Sequence, residues 1–149
     1  MNNNFDIQRL GKEDIILFKK LITLFHEVFG MEKQVQTDES YLIKILSDPT
    51  FIAHAVIIEN EVVGGSTAYE LAAYYSETSE IFIYDIAVKP AFQQKGLGKQ
   101  LLLSLKEYAI QKKISAVFVN ANEEDEHVLD FYHATGGKPE KVIQFTYFL

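Results

Sequence analysis

The sequence has no cysteine and no tryptophan among its 149 residues, and only three prolines. Without cysteine there can be no disulfide framework, no cysteine-based zinc site and no thiol nucleophile. This composition fits a reducing compartment, and we expect a cytoplasmic protein. The four histidines lack the spacing of metal ligands, so we expect no metal site.

Long apolar runs and positive charge are also scarce. No run approaches the length of a membrane-spanning helix, and residues 1–6 lack the pattern of a signal peptide. The net charge of −7 argues against nucleic acid as the main partner, because phosphate binding needs a basic surface. The same charge suits a cationic substrate, although solubility alone also explains it. We therefore expect neither a nucleic-acid nor a membrane partner.

Residues 1–149 are expected to form a single domain, because the chain can bury one core and shows no linker or repeat. Helical periodicity marks residues 13–29, 98–113 and 125–134, and Asp38 is a plausible cap for another helix. Strand patterns cover residues 7–10, 51–58, 62–71, 81–88, 116–119 and 142–148. The predicted order is β-α-α-β-β-β-α-β-α-β, an α/β (α+β) fold with a mixed sheet and helices on its faces.

The most informative segment is Val88–Lys99, which lies between a buried strand and an amphipathic helix. Gly96 and Gly98 let the backbone turn tightly and approach a ligand. Free N–H groups in such a loop and at the helix N-terminus favour an anion. Lys95 and Lys99 add positive charge. The segment therefore predicts a site for a phosphate-bearing ligand.

Two common phosphate motifs do not fit this loop. A P-loop would need glycine at Gln93 and Ser or Thr at Gln100, and a dinucleotide fingerprint would need a further glycine. The pattern that fits is Gln-x-x-Gly-x-Gly, formed by Gln93, Gly96 and Gly98 after a strand that ends at Val88. A helix that merely begins after a glycine-rich turn is the alternative. The flanking strand and helix favour acyl-CoA binding.

This motif and the order of elements resemble the GNAT superfamily of N-acetyltransferases over the whole chain. The resemblance implies a GNAT-like, mostly antiparallel sheet of six to seven strands with about four helices, and acetyl-CoA as cosubstrate. It implies that loop amides bind the pyrophosphate, and that the strand at residues 84–88 pairs with the pantetheine arm. The implied coenzyme-binding residues are Ile86, Ala87, Val88, Gln93, Gln94, Lys95, Gly96, Leu97, Gly98, Lys99 and Tyr132.

A closer resemblance is to the aminoglycoside 3-N-acetyltransferases of the gentamicin-resistance type. It is carried by Phe25–Gly30, Glu80–Val88 and the acidic stretch before Phe131-Tyr132, and it runs essentially end to end. Gln93 stands where that group usually has arginine, and Thr135–Gly137 also departs from its pattern. The implied acceptor is a small cationic amine, with an aminoglycoside as one candidate. The alternatives are a polyamine, metabolite or protein amine, or a non-catalytic acyl-CoA-binding regulatory module.

Asp85 is the only charged residue in Ile81–Val88, and an unpaired buried carboxylate is costly. We expect it to accept the amine proton or to hold the substrate, unless backbone N–H groups or a cation satisfy it. Strand alternation places Tyr84 on the face opposite Asp85. The candidate substrate-binding residues are Tyr84, Asp85, Glu80, Glu123 and Asp125. For the last two, a solvated helix start is an equally good explanation.

Tyr132 occupies the place of a tyrosine that often lies near the thioester sulfur in the GNAT superfamily. The resemblance therefore implies that it protonates the leaving thiolate, although a tyrosine on an apolar helix face is often only core. The lack of cysteine favours direct transfer in a ternary complex. The apolar C-terminus, with Phe145, Tyr147 and Phe148, forms either a homodimer edge or the last strand of the sheet.

Overall fold

The computed structural model describes residues 4–32 and 36–149; residues 1–3, which entered the signal-peptide argument, lie outside this part. The strands are β1 (Asp6–Arg9), β2 (Phe51–Ile58), β3 (Glu61–Ala72), β4 (Ser79–Val88) and β5 (Ala116–Val119). The helices are α1 (Ile15–Val28), α2 (Glu39–Ser47), α3 (Leu97–Gln111) and α4 (Glu126–Ala134). Short 3-10 turns cover Lys12–Asp14 and Pro90–Phe92. The chain divides into a first unit, which ends at Val119, and a second unit, Asn120–Leu149.

The first unit is built on one sheet with strand order β1-β2-β3-β4-β5. Strands β1 to β4 are antiparallel neighbours, whereas β5 runs parallel to β4. The parallel pair needs a crossover connection, which α3 provides. The prediction of a mixed, mostly antiparallel sheet with helices is confirmed.

The prediction of six to seven strands is not confirmed, since the described residues form five. Residues 138–149 contain no helix or strand, so the predicted strand at 142–148 is absent and the element order ends with α4. The segment is β-prone, but a strand exists only where a neighbouring edge accepts its hydrogen bonds. Local composition does not specify that partner.

Helices α1 and α3 pack on opposite faces of the sheet. Helix α1 buries Phe18, Leu21, Leu24 and Phe25 against Ala53 of β2. Helix α3 buries Leu105 and Ala109 against Ile52, the preceding residue of β2. Neighbouring strand residues point to opposite faces, which places the two helices on the two sides.

Gly65 of β3 allows the close approach of α1. A Cβ atom at this position would lie 2.4 Å from the Leu21 Cδ1 atom and 2.4 Å from the His54 carbonyl oxygen. Only glycine fits at this position. Within the described residues, no helix is long and apolar enough to cross a membrane.

Candidate active site

A β-bulge in β4 controls which side chains meet near the middle of the sheet. The pairing of β3 with β4 shifts between Thr67 and Ala68, which leaves Tyr84 as an extra residue. Asp85 pairs with Thr67, and the Tyr84 ring lies 5.9 Å from the ring of Tyr69, on the same face as Thr67. Tyr84 and Asp85 therefore share a face. The prediction of opposite faces was wrong, because it assumed a regular strand.

The loop between β4 and α3 forms a turn lined by backbone amides. Gln94 and Gly96 have φ angles of +59° and +83°, and α3 begins at Leu97. In the part of the chain that the structure describes, the amides of residues 94–99 donate to no protein acceptor; the next amide, that of Gln100, donates to the Gly96 oxygen at 3.0 Å. Free amides at the positive end of a helix attract an anion.

The side chains of this loop have more than one environment. Lys95 Nζ lies 5.3 Å from the centroid of the Phe92 ring, and Lys99 is exposed. Leu97 is buried in the core, so it can offer a ligand only its backbone. Lys89, just before the loop, is paired with Glu61. Lys95 and Lys99 are thus the cations of the turn itself.

The β4 backbone next to the loop has an open edge. Strand β4 pairs with β3 as far as Val88, but its pairing with β5 ends at Ile83. Among the described residues, the edge of residues 84–88 on the β5 side has no strand partner. The Ile86 and Val88 side chains pack toward α3 and that of Ala87 toward α1. An extended ligand with amide groups could pair with this edge.

Two tyrosines lie close together on the sheet face that carries Asp85, and a third tyrosine and a second carboxylate are near enough to influence the titration of one of them. We call Tyr41 of α2, Tyr69 of β3 and Tyr84 of β4 the tyrosine cluster. Burial raises the pKa of Tyr69, and the charges of Tyr84, Tyr41, Asp85 and Asp48 raise it further. Such influence requires proximity. Tyr41 and Tyr84 are 55% and 64% exposed, so the cluster is open to a ligand.

Asp85 is half-buried, and desolvation raises the pKa of its carboxyl group. Within the described residues it has no hydrogen-bond or ion-pair partner. The backbone N–H groups or cation that would make it purely structural are therefore not found there. A carboxylate that is partly desolvated and unpaired suits proton transfer or the binding of a cation.

Tyr41, Tyr69 and Asp48 were missed by the sequence reasoning. Tyr69 lies in an apolar strand and Tyr41 on a helix with a buried face, where tyrosine usually serves packing. Asp48 follows α2 and reads as a helix end. Their proximity depends on the register of β2 against β3, for which the local sequence gives no signal.

The other predicted acidic residues each have an environment of their own. Glu80 pairs with Leu71 and Ala116 at the start of β4, roughly 16 Å along the strand from Asp85. In the second unit, Asp125 caps α4 by accepting from the Val128 amide at 3.2 Å. Glu123 forms an ion pair of 3.2 Å with Lys141, and both side chains are exposed. Asp125 thus has the capping role that the sequence left open.

Tyr132 lies in α4 of the second unit, and burial raises the pKa of its hydroxyl to about 12. Thr135–Gly137 closes the helix behind it. The Gly137 amide donates to the Tyr132 oxygen at 2.8 Å, and Gly136 has a φ of +91°, as in a glycine-terminated helix.

In the described residues, no group of three or more His, Cys, Asp or Glu side chains could hold a metal ion.

Two features together define an acetyltransferase of the GNAT type. The loop between β4 and α3 has free backbone amides, and the parallel strands β4 and β5 separate after Ile83. A sequence model of the acetyltransferase (GNAT) family matches residues 18–136. The chain belongs to this family, and the predicted resemblance to it is confirmed.

Known relatives agree with this assignment. The uncharacterized N-acetyltransferase YvbK of Bacillus subtilis (strain 168) is 30% identical over 104 residues, which cover 66% of this chain and 67% of YvbK. The aminoglycoside acetyltransferase meta-AAC0020, from an uncultured soil metagenomic sample, was solved with trehalose and with sisomicin. The trehalose complex is 38% identical, covers 99% of this chain and 98% of its own, and has a TM-score of 0.96.

A second soil metagenomic aminoglycoside acetyltransferase, HMB0005, is 31% identical over 98% of this chain and 99% of its own, with a TM-score of 0.93. Both structural relatives are thus named for the antibiotic class that the closer resemblance implied. Neither name specifies the nitrogen that is acetylated. The 3-N assignment therefore stays a prediction.

Proposed function

We propose that this protein transfers the acetyl group of acetyl-CoA directly to a primary amine of a small cationic substrate. The main support is the row of free amides at residues 94–99 beside the open β4 edge that begins near Asp85. An aminoglycoside is the first candidate acceptor, because meta-AAC0020 was solved with sisomicin and is 37% identical in that complex. A polyamine, metabolite amine or protein amine is the alternative.

In this proposal the coenzyme binds mainly to backbone. The amides of Gln94–Lys99 receive the pyrophosphate at the positive end of α3, and Lys95 and Lys99 contribute charge. The β4 edge at residues 84–88 pairs with the pantetheine arm. Gly96 leaves room for close approach, since no atom lies within 4 Å of the position a Cβ would occupy. These features fit a phosphate group followed by an extended amide chain.

The reaction needs two proton transfers. The neutral amine nitrogen attacks the thioester carbonyl carbon, so that a C–N bond forms and the C–S bond breaks. Asp85 accepts the proton released from the amine, directly or through water, and Tyr132 gives a proton to the departing thiolate. A tyrosine with a pKa of about 12 is fully protonated at neutral pH, as a donor must be. Tyr84 and Asp85 bind the acceptor.

We also propose that residues 1–149 act as one acetyltransferase domain, since the family match at 18–136 spans both units. A cytoplasmic location is part of the same proposal, supported by a composition without cysteine. A homodimer is a further proposal, because Phe145, Tyr147 and Phe148 are at least 79% exposed and exposed apolar patches often mark interfaces. Light scattering of the purified protein tests it.

The decisive experiment measures thiol release from acetyl-CoA with a panel of aminoglycosides, polyamines and basic peptides, with coenzyme binding measured alongside. We expect coenzyme binding and turnover of at least one aminoglycoside, with mass addition of one acetyl group. Turnover of only polyamines or peptides would change the proposed acceptor from an aminoglycoside to a polyamine or a protein amine. Coenzyme binding without any turnover would favour a regulatory module, and no coenzyme binding would overturn the proposal.

A further inference from the structure

We propose that Asp48 is a specificity-determining residue that binds a second ammonium group of the acceptor, so that the site prefers amines with at least two positive charges. This inference rests on the proposed function. It concerns the sheet face that carries Asp85 and the tyrosine cluster. It assigns a role to a residue that neither the loop motif nor the reaction chemistry requires.

The register of the sheet places Asp48 on the far side of Tyr69 from Asp85. Asp85 pairs with Thr67, and Tyr69 follows two residues later on β3. Tyr69 in turn pairs with Phe51, and Asp48 lies three residues before Phe51, just after α2. The Phe51 amide donates to the Asp48 main-chain oxygen at 3.1 Å, so Asp48 lies one tight turn before β2. Asp85 and Phe51 are two strand spacings apart and offset by two residues along the strand, which separates their Cα atoms by about 12 Å. An acceptor with two separated ammonium groups can reach both.

The Asp48 carboxylate is held in place but still has an available oxygen. Its Oδ1 accepts from the Thr50 amide at 2.8 Å and from the Thr50 hydroxyl at 2.7 Å. Within the described residues, its Oδ2 has no partner. The two bonds lower the pKa of Asp48, which keeps it ionised. It also lies at the C-terminal, negative end of α2, where a cation is stabilised.

The surface between the two carboxylates is aromatic. The Tyr69 ring lies between those of Phe51, at 5.2 Å, and Tyr84, at 5.9 Å. Exposed tyrosine rings attract ammonium groups and pack against the carbon atoms of a substrate. The face therefore has one carboxylate at each end, and the surface between them consists of uncharged aromatic rings. A monoamine would use only the Asp85 end.

The test compares Asp48→Asn with Asp38→Asn. Asparagine keeps an oxygen that can accept from Thr50 and removes only the charge. Asp38 is the matched control, because it caps the other end of α2 by accepting from the Ser40 amide at 3.2 Å, and asparagine caps equally well. The probes are sisomicin, as a polycation, and glucosamine, as a monoamine. Binding of each is measured by calorimetry and turnover by thiol release.

We expect Asp48→Asn to weaken sisomicin binding about fivefold, as for loss of an exposed ion pair, and to reduce the salt dependence of that binding. Glucosamine affinity and Asp38→Asn should stay at the wild-type level. If Asp48→Asn matched Asp38→Asn with sisomicin while the wild type remained active, this inference alone would be overturned. If the wild type neither bound nor acetylated any amine, the proposed function would fall with it.

Discussion

The side-chain amide of Gln93 donates a hydrogen bond to the main-chain oxygen of Val88, at 2.9 Å. The bond joins the first residue of the Gln-x-x-Gly-x-Gly motif to the last residue of β4. It bridges the 3-10 turn Pro90–Phe92 and fixes where the following amides point. We infer that Gln93 is a positioning residue for the turn.

The first prediction is that Gln93→Leu weakens coenzyme binding about tenfold, the effect of about 1.4 kcal/mol, because the turn loses its tie to β4. Calorimetric titration with CoA measures the dissociation constant. Gln93→Arg should restore most of the affinity, since arginine also supplies an N–H donor. Gln100→Ala, at an exposed residue in the first turn of α3, is the control. Equal affinity in wild type and Gln93→Leu would remove the positioning role.

The second prediction separates the two glycines of the motif. Gly96 has a φ of +83°, where any side chain costs about 1–2 kcal/mol, so its substitution perturbs the loop as well as the site. Gly98 is a residue of α3 and is not among the glycines with positive φ. Gly98→Val should leave the fold as stable as before, because valine has a higher helix propensity than glycine. It should also weaken CoA binding by at least tenfold, since the side chain blocks approach to the amides.

Calorimetric titration and thermal unfolding of the same sample test the Gly98 prediction. Gln111→Val introduces the same side chain at the last residue of α3, away from the turn, and should bind CoA normally. A folded Gly98→Val protein with wild-type affinity would show that CoA does not approach the backbone there.

Much of the fold could be predicted from the sequence, because local patterns determine it. The apolar spacing in α1 and α3 and the Asp38 cap were sufficient to place three helices, and the cap is confirmed by the Ser40 hydrogen bond. The missing last strand has a different cause. A strand requires a second edge, and the alternating residues at 142–148 carry no information about which edge is available.

The candidate site was only half predictable for a similar reason. The loop motif is contiguous, so its residues come together in one turn wherever the chain folds. The tyrosine cluster instead combines α2, β3 and β4, whose contacts depend on register. One inserted residue, Tyr84, was enough to place Tyr84 and Asp85 on the same face instead of the predicted opposite faces, and nothing in the local sequence indicated this bulge.

The third prediction concerns Asp85. Desolvation raises its pKa above 3.8, which means that the folded state binds the proton more tightly than the unfolded state. Stability therefore falls as pH rises through this raised pKa, because the ionised carboxylate is costly in the fold. Asp85→Asn should be more stable than wild type at pH 7, and the difference should vanish once the pH is below 3.8.

Urea unfolding at several pH values measures this difference. Asp6→Asn, at the exposed first residue of β1, is the control that should show no gain. In the same samples, Asp85→Asn should lower kcat/KM about a hundredfold if the carboxylate is the base. Higher stability with unchanged activity would leave Asp85 with no role in transfer. Lower stability at pH 7 would mean that the carboxylate has a partner in solution.

The fourth prediction is that Tyr132→Phe lowers kcat about a hundredfold, the usual contribution of a general acid, and leaves CoA affinity within about twofold, a difference of less than 0.5 kcal/mol. The phenol is lost but the ring and its packing remain. Single-turnover kinetics and CoA titration separate the two quantities. Tyr147→Phe, at a tyrosine that is 86% exposed, should change neither. Unchanged turnover in Tyr132→Phe would show that the residue only packs.

The fifth prediction is an acid-sensitive core at His54. This side chain is 7% exposed, and its Nδ1 is buried without a hydrogen-bond partner in the described residues. Burial, and then the charge of Arg9, lower its pKa from 6.5 to about 4. Arg9 is its direct neighbour across β1 and β2, so protonation would place two cations side by side in the sheet.

Because the folded pKa lies below the unfolded one, the stabilising effect of a neutral His54 is fully present above pH 6.5 and is lost as pH falls toward 4. The loss over this window is about 3 kcal/mol, since one pKa unit corresponds to about 1.4 kcal/mol. His54→Leu removes the titrating group and should flatten the fall in unfolding free energy between pH 6.5 and 4. His127→Leu, at an exposed histidine, should keep the wild-type slope. If His54→Leu lost stability with acid as steeply as wild type, another group would have to account for the acid sensitivity.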